Sequence, residues 1–270
     1  MQPLQYGYLE AFVDELRSRG RYTFTLDELR DKYELSNEAL KKALQRLIKK
    51  KEATRIRQEF YVIVPPEYRQ KGVLPTSLFI ADLMKFLQKD YYVGLLSAAS
   101  LYGAAHQQPQ AFFVITTKPT LRPITSNRFT INFFYKKEWS QEDINQRKVE
   151  TGYLKVSSPE LTAFDLVAYF DRVGGLNRTA TILEELSETL NDEQLVQTAK
   201  HYGQISVIQR LGYLFEEVLG KKELVEPLAT YLKSVKHFPV LLRPQKNKPV
   251  TMITGNKWKV VANTEIEIDV

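Results

Sequence analysis

Between Thr25 and Val64 the apolar positions change rhythm, from steps of three and four residues to near-alternation. That change predicts two helices followed by two strands. The first helix opens at Thr25 with Glu28 three residues on. This is a capping box, in which the hydroxyl and the carboxylate each take a backbone N–H that the first turn leaves unpaired. Phe24 and Leu29 can close over it as a hydrophobic staple. The second helix repeats the device, with Ser36 as cap and Leu35 facing Leu40, after a turn at Lys32–Leu35. Helix, short turn, helix and two strands is the sequence form of a winged helix-turn-helix.

In the second helix Ala39, Leu40, Ala43, Leu44, Leu47 and Ile48 form one stripe, predicted to be buried. At about 100° per residue the opposite face holds Glu38, Lys41, Lys42, Gln45 and Lys49, with Asn37 and Arg46 on its flanks. Amide and cationic side chains are what base edges and phosphates accept. The strands are Ala53–Arg57 and Phe60–Val64, joined at Gln58–Glu59, and Arg55 and Arg57 share a face of the first. From Lys41 to Arg57 eight basic residues stand against one acid, Glu52, a net +7 in seventeen residues. We therefore expect DNA binding through Asn37, Lys41, Lys42, Gln45, Arg46, Lys49, Arg55 and Arg57, the helix in the major groove and the two arginines on a neighbouring backbone or minor groove. Two plainer readings stay open: a solvated helix whose terminal lysines complement the macrodipole, or a scaffold for protein contacts.

A further helix is expected upstream, from about Pro3 to Arg19, because Leu4, Tyr8, Phe12 and Leu16 fall every four residues and Gly20 stands at its end. Tyr22–Phe24 can add a short third strand. Pro65, Pro66, Gly72 and Pro75 then mark residues 65–76 as a linker, which divides the chain into 1–76 and 77–270. The second part predicts helices over Ser77–Lys89 and Gly94–Tyr102, and strands at Ala111–Thr117, Thr130–Tyr135 and near Tyr153–Val156. Ser158 and Pro159 open a helix to Phe170, and Leu176 to Leu232 reads as mainly helical, punctuated by Gly203 and Gly220. The tail from Phe238 to Val270 returns to a strand pattern. In Thr264–Val270, Glu265, Glu267 and Asp269 alternate with Ile266, Ile268 and Val270, which reads as a half-exposed edge strand before it reads as a metal site. The fold class is thus α+β: an N-terminal winged helix-turn-helix followed by a larger mixed α/β C-terminal domain.

Composition narrows the function. The chain has 270 residues, 43% of them hydrophobic, enough to build cores. The formal net charge of +6 favours polyanionic partners. With no cysteine there is neither a disulfide nor a thiolate metal site. Nothing resembles a leader, and no run approaches the roughly 18 apolar residues of a spanning helix, so we expect a cytoplasmic protein with no membrane partner. Charge is unevenly placed. Residues 91–137 carry five basic side chains and no acid, and Pro227–Thr264 carry seven and no acid, whereas Glu138–Glu226 hold 16 acids against 9 bases. A second basic surface, formed by Lys118, Arg122, Arg128, Arg243, Lys246, Lys248, Lys257 and Lys259, is therefore expected to meet nucleic acid or an acidic partner.

Catalytic signatures are missing. There is no Gly-x-Ser-x-Gly elbow and no phosphate loop; Gly220–Lys221 lacks the upstream glycine. His106, His201 and His237 match no metal-ligand spacing. No Asp/Glu-x-Lys triplet occurs, nor the Gly-Ser with Asp-x-Asp of polymerase-like nucleotidyltransferases. We expect no enzyme activity, no cofactor and no metal.

One stretch carries a likeness. Tyr91-Tyr92-Val93-Gly94-Leu95-Leu96-Ser97-Ala98-Ala99-Ser100-Leu101-Tyr102-Gly103-Ala104-Ala105-His106, then Gln107–Gln110 and the strand Ala111–Thr117, resembles the AbiEi antitoxin family. Arg122-Pro123-Ile124 and the helix opened by Ser158-Pro159-Glu160 do so as well. The resemblance implies the antitoxin of a type IV toxin–antitoxin system acting in phage defence by abortive infection. It implies repression of its own operon at inverted repeats in double-stranded operator DNA. It also implies a second domain that neutralises a nucleotidyltransferase-like toxin without a stable complex. The residues by themselves reach only the DNA-binding half. Rival readings are a stand-alone winged-helix regulator with a ligand-sensing second domain, an RNA-binding protein, or an antitoxin that binds its toxin directly. Ser97, Ala98, Ala99 and Ala104 read as small residues that let a helix pack closely.

Overall fold

The computed structural model describes residues 7–104, 110–245 and 255–268. The first helix, α1, spans Tyr8–Ser18 and buries Leu9, Phe12, Val13 and Leu16; Pro3 and Leu4 lie outside the described residues. After Gly20, at φ +71°, comes the short strand β1, Thr23–Thr25. Thr25 caps α2, Leu26–Lys32, with both halves of the capping box formed. Ser36 caps α3, Asn37–Lys49, by accepting from the Ala39 N–H at 3.2 Å. Strands β2, Ala53–Arg57, and β3, Phe60–Ile63, form an antiparallel hairpin, and β1 pairs along the other edge of β3. Their order is β1-β3-β2. The α3 stripe is narrower than its sequence predicts: Leu40, Ala43, Leu44 and Leu47 are buried, but Ile48 is 38% exposed. Ile48 falls at the edge of the stripe in the last turn, where the helix runs past the core.

The three-stranded sheet is buried on both faces. Tyr61 and Ile63 pack with α1, α2 and α3, whereas Ile56, Phe60 and Val62 face the opposite way. They meet Leu83 and Met84 of α4, Ile80–Phe86, a helix shorter than the predicted Ser77–Lys89 because a 3₁₀ turn at Thr76–Leu78 precedes it. Thr23 Oγ1 donates to Asp82 Oδ2 at 2.5 Å across the same contact. Within the segment 65–76, Val73 and Leu74 are buried in this second core.

The rest is a mixed sheet with helices against it. Its strands are β4 (Tyr91–Val93), β5 (Phe112–Thr116), β6 (Ile124–Thr125), β7 (Thr130–Tyr135), β8 (Ile144–Val149) and β9 (Gly152–Ser157), in the order β6-β7-β5-β4-β9-β8. β5 runs parallel to β7 and β4 parallel to β9, while the other pairs are antiparallel. One face of the sheet, with Val93, Val114, Ile131 and Leu154, meets α4; the other, with Tyr92, Phe113 and Ile115, meets the helical layer. That layer comprises α5 (Leu95–Leu101), α6 (Pro159–Ala168), α7 (Gly175–Leu186), α8 (Asp192–Tyr202), α9 (Ile205–Tyr213) and α10 (Lys222–Lys233), with a π-helical turn at Leu214–Val218. Ala98, Ala99 and Ala104 are buried, and Ser97 Oγ accepts from the Phe113 N–H at 2.9 Å, so α5 lies tight on the sheet.

The tail departs from expectation. It contributes two parallel two-residue strands, β10 (Val240–Leu241) and β11 (Val260–Val261). Gln209 of α9 holds it by donating to the carbonyls of Phe238 and Trp258 at 2.9 and 2.8 Å. Residues 264–268 form no strand, and Asp269 and Val270 lie outside the described residues. The alternation there is therefore not that of an edge strand: Ile266 packs against the helical core without a paired neighbour.

Candidate nucleic-acid interface

The exposed surface of α3 is built from positions its burial leaves over. With Leu40, Ala43, Leu44 and Leu47 turned inward, Asn37, Lys41, Lys42, Gln45, Arg46 and Lys49 are all exposed. Since α3 packs on one face of the three-stranded sheet and α4 on the other, the larger body leaves this surface uncovered. Lys41, Lys42 and Lys49 form no ion pair among the described residues. Their charge is available to an outside anion.

Two of the predicted residues are held by neighbours. Arg30 Nε donates to Asn37 Oδ1 at 3.0 Å, while Nη1 pairs with Asp27 at 2.6 Å and with Glu59 at 3.3 Å. One guanidinium thus ties α2, the first turn of α3 and the β2–β3 turn, where Glu59 sits at φ +62°. Among the described residues the Asn37 amide N–H groups remain free to donate. At the other end, Lys50 pairs with Glu10 of α1 at 2.8 Å. The Glu10 carboxyl is held below its ordinary range by that bond, with a smaller contribution from Arg46. Arg46 therefore stands at the α1 side of the helix, and its charge acts partly within the domain.

The hairpin presents Arg55 and Arg57. Both are exposed, while Ile56 between them is buried; the register shifts there, Arg55 facing Tyr61 and Arg57 facing Phe60. A bulge of this kind re-aims side chains without ending the pairing. Tyr61 stacks on Phe24 with ring centroids 5.3 Å apart, and burial raises its phenol pKa, which the Arg55 charge opposes.

The second basic group is less uniform in space than in sequence. Lys257 is paired with Glu216 at 2.9 Å and Glu226 at 2.6 Å. Lys259 donates to the His237 carbonyl, and Lys118 lies 5.0 Å from the Tyr135 ring centre. Arg128 donates to the Gly72 carbonyl at 3.0 Å. Arg122 and Arg243 are exposed. Lys246 and Lys248 lie outside the described residues, as does His106. These residues occupy different elements, the β5–β7 loops and the β10–β11 pair beside α9, and acids from α10 and the π-helical turn answer part of the charge.

Sequence reasoning missed a buried polar centre. Asp165 of α6 is fully buried and accepts from Tyr92 at 2.6 Å, Lys136 at 2.9 Å and Tyr202 at 3.1 Å. Its one legible trace was a carboxylate set inside the apolar run Leu161–Val167. His201 is likewise engaged, Nδ1 lying 3.1 Å from Asp143 and Nε2 3.7 Å from Glu142. Among the described residues no group of histidine and carboxylate side chains is arranged to hold a metal ion, and no helix is long and apolar enough to cross a membrane.

Comparison with known proteins gives three results. Among solved structures the chain is similar to the crystal structure of the RV2827C protein from Mycobacterium tuberculosis, with a TM-score of 0.66 at 14% identity over 94% of this chain and 91% of that one. At that identity the likeness is one of fold, and it spans the N-terminal body as well as the large sheet. No curated protein matches the chain. The AbiEi antitoxin C-terminal domain family matches residues 92–217, from the central strand β4 through the helical layer to the π-helical turn. Over those residues, a little under half of the chain, it is similar to the AbiEi antitoxin family.

Proposed function

We propose that the chain is the antitoxin of a type IV toxin–antitoxin system and represses its own operon by binding inverted repeats in the promoter. Residues 1–76 act as a winged helix-turn-helix DNA-binding domain, and residues 77–270 neutralise a nucleotidyltransferase-like toxin without a stable complex. The observation that carries the DNA half is the uncovered face of α3, where Lys41, Lys42, Gln45 and Lys49 are exposed beside a capped turn and a hairpin bearing Arg55 and Arg57. The order β1-α2-α3-β2-β3, with β1 closing the sheet, supports the winged-helix reading. The match of residues 92–217 to the AbiEi antitoxin C-terminal domain supports the antitoxin role, and we read the protein as a cytoplasmic, non-enzymatic one that needs no cofactor.

The test is binding of the full-length protein to DNA upstream of its own gene, against scrambled DNA, over a salt series. Selective binding lost in a Lys41→Ala, Lys42→Ala, Arg46→Ala triple variant supports the reading. Equal affinity for both DNAs at every salt concentration refutes it. Neutralisation is tested separately by co-expression with the operon partner, where rescue of growth without co-purification is the expected result.

A further inference from the structure

A cleft of 760 Å³ opens where the segment after β3 passes the β6–β7 hairpin and α5. Its size lies within the roughly 300–1,000 Å³ usual for small-molecule sites. Lys71 and Arg128 stand in its wall with the hydroxyls of Ser77 and Ser100 and the rings of Phe112 and Phe129, and no carboxylate lines it among the described residues. Two cations with hydroxyl donors and no acid select an anion, and a guanidinium suits phosphate oxygens in particular. Half-buried aromatic side chains in the same wall add a surface for a planar ring. Phosphate and planar ring together describe a nucleotide.

The cleft is also joined to the hairpin of the N-terminal body. The Gly72 carbonyl accepts from Arg128 Nη1 at 3.0 Å and from Thr54 Oγ1 of β2 at 2.8 Å. Gly72 sits at φ +66°, and a Cβ there would meet the Arg128 guanidinium at 2.6 Å, so the contact needs glycine. One carbonyl is thus shared by a wall residue of the cleft and a strand of the hairpin.

We propose that this cleft is a binding site for a free nucleotide, held at its phosphate by Lys71 and Arg128, and that occupancy is transmitted through Gly72 to β2. When Arg128 turns to the phosphate, its bond to Gly72 is given up and the restraint on Thr54 slackens. Any consequence for operator affinity rests on the DNA-binding reading above; nucleotide binding and the response of β2 do not.

Full-length protein is titrated calorimetrically with the four ribonucleoside monophosphates and triphosphates, and with inorganic phosphate and pyrophosphate. At least one nucleotide binds more tightly than the inorganic ions, and Lys71→Ala weakens it about tenfold or more while circular dichroism and melting temperature stay unchanged. Phe112→Leu lowers nucleotide affinity but not that of pyrophosphate. No binding of any nucleotide at millimolar concentration overturns the site, as does wild-type affinity in both Lys71→Ala and Arg128→Lys. Hydrogen exchange reads the coupling: nucleotide speeds exchange across residues 53–57, and Thr54→Val abolishes that response. Unchanged exchange in the wild type with bound nucleotide overturns the coupling.

Discussion

The Lys136 ammonium lies 2.9 Å from Oδ1 of Asp165 and 4.0 Å from the ring centre of Tyr202, inside a domain where the carboxylate has no contact with solvent. Four elements converge on this pair: the end of β7, α6, β4 through Tyr92, and α8 through Tyr202. Removing one partner of such a pair leaves the other charge buried and unanswered. Lys136→Ala should therefore lower unfolding stability by about 3–5 kcal/mol, read from urea denaturation. A loss under about 1 kcal/mol would show that the pair is not desolvated as described.

The same centre predicts how the protein fails at high pH. Burial raises Tyr92, Tyr169 and Tyr202 above the ordinary phenol value near 10, with the Asp165 charge adding to each, and burial raises Tyr91 to about 12. The folded state thus favours the neutral phenols. Their contribution is complete below pH 10, where unfolded tyrosine is neutral too, and is lost as pH rises above it through the folded values. Melting temperature should fall steeply above about pH 10, with a final share of the tyrosinate absorbance appearing only together with unfolding. Complete tyrosinate absorbance well before unfolding would contradict this.

Gly212 in α9 faces Trp258, whose indole carbon would lie 2.1 Å from an added Cβ. Glycine inside a helix costs about 1 kcal/mol against alanine, so Gly212→Ala would stabilise an isolated helix. Here the ring is fully buried and its Nε1 donates to Glu216 at 2.9 Å, so it has nowhere to move. The substitution should instead destabilise by about 1–3 kcal/mol, with altered tryptophan fluorescence. An unchanged or raised melting temperature would mean that the tail yields.

The DNA contacts proposed for α3 should separate by residue into two kinds. Gln45→Ala should cost about 1–3 kcal/mol of discrimination between operator and random DNA, because an amide reads base edges. Lys49→Ala should weaken both DNAs alike and reduce the salt slope by about one. Equal loss on both DNAs for both variants would place neither side chain as assigned.

What the sequence determined by itself is local. Thr25 with Glu28, and Ser36 ahead of the α3 stripe, specify their helix starts through bonds that reach three residues. The same range of interaction makes Phe112–Thr116, Thr130–Tyr135 and the Ser158-capped α6 legible. Strand β4 was not, because Tyr91–Val93 is central and buried on both faces and so shows no alternation. Strand β8 was not, because Ile144–Val149 is polar and becomes a strand only through its pairing with β9. Thr264–Val270 shows the converse: its residues alternate, yet 264–268 form no strand, since a strand needs a neighbour to pair with. Charge behaves alike. Lys257 and Lys136 lie in acid-free stretches, and their partners Glu216, Glu226 and Asp165 arrive from 29 to 41 residues away. Capping and periodicity are set by nearest neighbours and are written in order along the chain. Pairing, desolvation and charge compensation are properties of distance in space, and the tertiary structure alone decided those.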